Sequence, residues 1–386
     1  MAHYVRLGEV PRKRHTQFRK PDGTLYAEQV FGTKGFSGIA SILYHANLPT
    51  QVAEYEFLRD LKPEFLGDEP LRHRHLKTAN FEPHGDPVGG RVVLLANEDV
   101  TLGLCRPTER MDYFYKNADG DDLLFAHHGT GHLETMFGTL PYREGDYLVV
   151  PRGTIYRVVP ESAETTMLVI ESSASTIEPP RRYRNEYGQL LEHAPFCERD
   201  IRAPEALAFH DEKGSFEVRI KARGRLTAYH YDFHPLDVVG WDGYLYPWAV
   251  SIHDFEPITG AIHQPPPTHQ MFEAHNFVVC SFVPRMLDYH PDAVPIPYNH
   301  SNLDSDEVLY YVNGNFASRR GIEMGSVTLH PSGLPHGPQP GAVEASLGKT
   351  RTEELAVMLD TFRPLRMTKA AAALEDDYYP FSWKPR

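Results

Sequence analysis

Cysteine is scarce in this chain. Cys105, Cys197 and Cys280 are the only three in 386 residues, far apart and in no C-x-x-C arrangement. An odd, scattered set excludes a disulfide framework and fits a reducing compartment, so a cytoplasmic protein is expected. Long apolar runs are missing as well. No stretch approaches the roughly 18 apolar residues of a membrane-spanning helix, and the N-terminus carries no apolar signal-peptide core. Cations are outnumbered, with 39 Lys and Arg against 52 Asp and Glu, and the formal net charge is -13. That balance argues against a nucleic-acid partner, whose binding rests on neutralising phosphates. The basic run at residues 11–20 (PRKRHTQFRK) is the exception and reads as a solvated arm or an oligomer contact. Helical periodicity is absent before the tail, where MTKAAAALEDD is the single helix signal. With 32 Pro, 29 Gly and many short alternating segments, the chain reads as mainly β.

What is present is concentrated in residues 298–341. His300-Ser301-Asn302 is followed by Glu307 and Gly314, closing as E-x6-G across the strand-like EVLYYV. Gly325 then opens G-x5-P-x-G-x2-H, through SVTLH, Pro331 and Gly333 to His336. Both alternating pieces read as strands, and a period of two sets Glu307, Leu309 and Tyr311 on one inward face. Pro331 and Gly333 turn the chain and set His336 at the start of a return strand. Most of the 21 histidines must be ordinary surface or core residues. Two imidazoles and a carboxylate at fixed offsets between turn residues are a different matter. His300, Glu307 and His336 make a facial triad that leaves about three open positions on an octahedral ion, a set suited to non-haem Fe(II) and oxygen chemistry.

An earlier copy of the pattern lies upstream. GDDLLFAHHG puts Asp122 where Glu307 stands and Gly129 where Gly314 stands, while Tyr115-Lys116-Asn117 replaces His300-Ser301-Asn302. Gly145, Pro151 and Gly153 repeat the second half, which ends in Tyr156. Phenols with a pKa near 10 are poor neutral-pH ligands for Fe(II). Residues 1–245 therefore read as an N-terminal β domain around a degenerate, metal-free core (about 92–175), and 246–386 as the metal-binding domain. His127, His128 and His132 fall off the ligand register and read as structural. His73 and His75 in LRHRHLK lack a following carboxylate and closing Pro-Gly-His, and read as surface.

The paired motifs resemble those of the cupin superfamily, and the chain more narrowly resembles the homogentisate 1,2-dioxygenase family. LYAEQ and SILYHANLP near the start, RRYRNEYGQLLEHAPFCERDIRAPEA in the middle, FVVCSFVPR, and MTKAAAALEDDYYPFSW at the end carry that resemblance over nearly the whole chain. It implies two cupin-like β-barrel or jelly-roll units (a bicupin) with a short C-terminal helix. It also implies an Fe(II) cofactor and O2-dependent opening of homogentisate, a small aromatic substrate, to maleylacetoacetate in tyrosine and phenylalanine breakdown. A homo-oligomer, a trimer-based hexamer, is implied too. Asn302 would hydrogen-bond a substrate hydroxyl, with His336 also at the substrate, and His330 would support the metal site. The catalytic acid/base maps onto His253 in SIHDFEP, with His263 and His269 left open by a short insertion in the proline loop 262–270, itself either a lid or a plain loop. The family offset places the carboxylate at Asp306. The E-x6-G grammar and the matching position of Asp122 decide for Glu307. A substrate-contacting Tyr of the family falls on Phe316, with Tyr310 or Tyr311 as substitutes. Rival readings are a dioxygenase of a gentisate-like or aminophenol ring, a metal-dependent isomerase on the same fold, and a non-enzymatic bicupin.

Overall fold

A computed structural model of the chain describes residues 3–313, 319 and 321–384. Short alternating segments become strands almost throughout, and they form two barrels that share a wall. In the upstream barrel, one seven-stranded sheet contains Phe114–Asn117, Ile155–Pro160 and Lys213–Ala222. It faces a second seven-stranded sheet built on Asp122–His128, Asp146–Val150 and Thr166–Ser172. The downstream barrel is built on a six-stranded sheet in which Ala356–Thr361 lies between Phe277–Phe282 and Asp306–Tyr311, with Val327–His330 beyond. The protein is mainly β with two cupin-like units, as the sequence predicts.

Each strand of the shared wall sends alternate side chains to two different interiors. From Asp122–His128, Leu123 and Phe125 join a large core that also takes Val308, Tyr310, Val357 and Leu359 from the downstream barrel. Leu124 and Ala126 line the lumen of the upstream barrel, and Leu309, Tyr311 and Met358 line that of the downstream one. All six residues of Asp306–Tyr311 are buried for this reason. The Tyr147 and Ser281 hydroxyls hydrogen-bond across the wall at 2.9 Å.

Three strands pair across the 245/246 division. Trp248–Ser251 extends the upstream sheet beside Asp146–Val150, and Arg366–Met367 pairs with Val92–Ala96. In the other direction, Arg74–Leu76 adds an edge to the downstream sheet beside Val327–His330. This last exchange corrects the reading of LRHRHLK as surface. His75 is 1% exposed and hydrogen-bonds Ser326 Oγ at 2.8 Å. His73 is half-buried against the rings of His330 and His336, at 5.4 and 5.9 Å.

The tail corrects a second expectation. MTKAAAALEDD makes only one helical turn, Lys369–Ala372, capped by Thr368. Beyond it the backbone is drawn off to the exchanged strand: Lys77 N donates to Leu374 O at 2.7 Å and Asp376 N to His75 O at 2.8 Å. A further short helix, Ala342–Ser346, was not foreseen.

Because one core serves both barrels, they should unfold together. Leu359, 1% exposed in the shared wall, reports this. We expect Leu359→Ala to cost about 2–5 kcal/mol and to shift one denaturant transition without splitting it. A split transition followed by fluorescence and circular dichroism would contradict the shared core.

Candidate metal centre

His300 and His336 face each other across an isolated antiparallel bridge, each backbone N–H donating to the other's carbonyl at 2.8 and 2.9 Å. Pro331 and Gly333 make this possible: Gly333 sits at φ 81°, where a side chain is disfavoured, and its N–H closes onto Asn302 O at 2.6 Å. Both imidazoles are oriented alike. His300 Nδ1 donates to Tyr298 O at 3.1 Å and His336 Nδ1 to Leu334 O at 3.3 Å, so each Nε2 presents its lone pair inward. Glu307 completes the group from the first turn of its strand, with Oε2 3.5 Å from His300 Nε2 and Oε1 3.3 Å from His336 Nε2. One ligand atom from each of the three residues falls within a 4.8 Å span. Among the described residues, buried His336 Nε2 has no hydrogen-bond partner. An orphaned lone pair beside a second imidazole and a buried carboxylate fits a divalent cation.

The carboxylate is braced from behind. His330 Nδ1 donates to Glu307 Oε1 at 2.8 Å, and its Nε2 lies 2.9 Å from the Tyr379 hydroxyl. Burial pushes the His330 imidazole down to about 3, so it is neutral and its single proton serves Glu307. Its Nε2 therefore accepts from Tyr379. Burial alone would raise the Glu307 carboxyl, but the hydrogen bond from His330 and the two imidazoles beside it hold it well below the usual carboxylate range. Asp306, the rival ligand, points elsewhere: Oδ1 accepts from Ser332 N at 2.8 Å and Oδ2 from Leu365 N at 2.7 Å.

A cavity with about 70 Å³ of free space opens over His300 and Glu307, and its wall includes His263, His269, Arg285 and Arg319. Within the proline loop, the turn Pro266–His269 carries His269 inward. The structure does not bring His253 to this cavity. It lies exposed, its ring close to where a Cβ on Gly145 would stand in the upstream barrel. Among the described residues Asn302 accepts from Gly333 N through its backbone carbonyl, and it is outside the cavity wall, as is His336, whose neighbours Gly337 and Pro338 form the wall there. Tyr310 turns to the shared core and meets His127 Nδ1, and Tyr311 reaches Thr328 Oγ1 at 3.2 Å, so neither stands in for the family tyrosine. Phe316 lies outside the described residues.

Comparison with known proteins places the chain in a family. Family profiles described as homogentisate 1,2-dioxygenase N-terminal and C-terminal match residues 61–252 and 249–385. The chain belongs to the homogentisate 1,2-dioxygenase family. A Saccharolobus solfataricus protein described as a candidate dioxygenase is 44% identical over 99% of both chains. Homogentisate 1,2-dioxygenase of Rhizobium etli is 30% identical over 69% of this chain, and the match spans 61% of that relative's length. A solved cupin barrel protein of Leptotrichia buccalis aligns over 79% of this chain and 98% of its own, at 11% identity and TM-score 0.31.

In this member of the homogentisate dioxygenase family the upstream barrel meets its buried acid differently. Asp122 Oδ2 accepts from the Tyr156 hydroxyl and Oδ1 from Asn117 Nδ2, both at 2.6 Å. The cation facing Asp122 is the guanidinium of Arg91, 3.7 Å away, which also donates to the Tyr156 hydroxyl at 2.9 Å and pairs with Glu171 at 3.1 Å. Tyr115 lies beneath the same guanidinium, 5.4 Å from ring centre to Cζ. Sequence reading found Tyr115 and Tyr156 but missed Arg91, and it gave no role to Tyr379 or Arg285 inside the segments that carry the family resemblance.

Two outcomes follow from the bracing. Tyr379→Phe removes the hydrogen bond to His330 and should weaken metal affinity about 10–100-fold with the fold retained. Unchanged affinity in a metal titration would show the brace to be idle. Acid should destabilise the metal-free protein from about pH 6.5 downward. Unfolded imidazoles bind protons near 6.5, whereas His330 and His269 resist until about 3, so stability falls through that window. Melting at pH 7 and pH 5 measures the loss, and His269→Gln should shrink it. An undiminished slope in that variant would refute the assignment.

Proposed function

We propose that this protein is an Fe(II)-dependent dioxygenase that opens the ring of homogentisate with O2 to give maleylacetoacetate. The observation that carries this reading is the convergence of His300 Nε2, Glu307 and His336 Nε2 beside a cavity holding both a histidine and arginines. A ferrous ion held by those three residues would supply the electron density through which O2 and a phenolate react.

The surrounding side chains have distinct tasks. His263 lies with Nδ1 3.8 Å from Asp288 Oδ2 and its ring 5.1 Å from that of Tyr298, which leaves Nε2 free for the substrate. That nitrogen takes the proton of a ring hydroxyl as substrate binds and returns it later. His269 is less suited, because burial pushes it down to about 3, far below a working pH. Arg285, 3.5 Å from Glu354, and Arg319 stand on the wall where a side-chain carboxylate can meet a guanidinium. Free space of about 70 Å³ admits O2 or a water or two, so an aromatic ring enters by displacing the half-buried Gln264 outward while His263 stays at the wall.

Metal analysis with oxygen uptake tests the proposal. Purified protein should contain iron and consume O2 with homogentisate. His336→Ala should lose the iron and at least about 100-fold of the uptake, more than loss of an outer partner costs, while melting normally. Full iron occupancy in that variant would overturn the ligand set. Rapid uptake with gentisate and none with homogentisate would overturn the substrate. Anaerobic turnover with Zn or Mn would favour an isomerase.

A further inference from the structure

The upstream barrel holds a cavity of its own, of about 340 Å³, between its two sheets. Arg59, Arg91, Arg219 and Lys221 line it, with Glu171 as the one carboxylate in the wall. Lys221 and Arg91 both bond Glu171, and Arg219 pairs with Glu217 at 2.5 Å while stacking on Tyr113 at 3.6 Å. Counting Asp122 behind Arg91, Glu217 behind Arg219 and Asp86 behind Tyr113, four cations face four carboxylates, and among the described residues Arg59 pairs with none of them. Leu61, Val88, Val93 and Leu226 give part of the wall an apolar surface.

Two of these cations are held by the fold. The Arg91 side chain is 9% exposed and that of Lys221 17%, each fixed by its bonds to Glu171. Guanidinium groups aligned in advance lose little freedom when they meet a carboxylate, and apolar walls favour a ligand with a hydrocarbon body. A phosphate dianion fits less well, since the wall carries no excess of positive charge and nearly half of it offers nothing polar.

We propose that this cavity binds a small organic carboxylate with an apolar body. Its carboxylate meets Arg59, Arg219 and Lys221, and its body lies against Leu61, Val88, Val93 and Leu226. The site uses none of the metal-centre residues and stands whether or not the downstream barrel cleaves aromatic rings.

The probe is 4-bromophenylacetate, with the neutral 4-bromophenylacetamide as control. Crystals of the full chain soaked in the acid should show a bromine anomalous peak between the two upstream sheets beside Arg91. Calorimetric titration should give affinity at least tenfold weaker for the amide and for the double variant Arg59→Gln, Arg219→Gln. His336→Ala should keep the site, which separates it from binding over the metal centre. If the double variant fails to fold, Arg59→Gln alone, whose side chain is exposed, carries the test. No bromine peak in the upstream barrel, equal affinity for the amide, or undiminished affinity in the folded variant would overturn the proposal.

Discussion

A carboxylate buried in a barrel lumen must be given positive or proton-donating neighbours, and both halves of this protein are arranged around that need. Desolvating an ionised acid costs several kcal/mol unless donors or cations replace the lost water. Glu307 receives three imidazoles, one of them backed by Tyr379. Asp122, at the matching strand position, receives Arg91, Tyr156 and Asn117. The same scaffold thus satisfies the same electrostatic demand twice. In one barrel the answer keeps two Nε2 lone pairs for an exchangeable ion. In the other it is a permanent organic cation that cannot leave.

The core of the site was legible in the sequence because its geometry is local. Gly325, Pro331 and Gly333 dictate the turns, and period-two alternation dictates which way Glu307 points, so spacing alone carries His300, Glu307 and His336 toward one another. Choosing between Glu307 and Asp306 needed the internal copy, and the structure shows why the choice matters: Asp306 is spent on two backbone N–H groups. His330 was also placed well, since a residue adjoining Pro331 on the ligand strand has few other places to go.

What stayed hidden comes from far along the chain. Tyr379 reaches His330 across 49 positions, and Arg74 pairs with Glu375 across 301. His73, His75, Arg91 and Arg285 carry no spacing signal, because nothing near them in sequence belongs to the same cluster. His253 failed for a related reason. The strand before His253 is paired with the upstream barrel, which carries that residue away from the cavity. The tail helix failed because backbone partners at residues 75 and 77 outbid the propensity of an alanine run.

The exchanged edge strand Arg74–Leu76 has a temporal meaning. A nascent chain leaves the ribosome from its N-terminus, so this strand emerges long before Val327–His330, the neighbour it must pair with. Through synthesis of the whole intervening length it has no ladder to join, and Tyr379 follows later still. The triad of His300, Glu307 and His336 therefore receives its outer partners last, after most of the upstream barrel has been made.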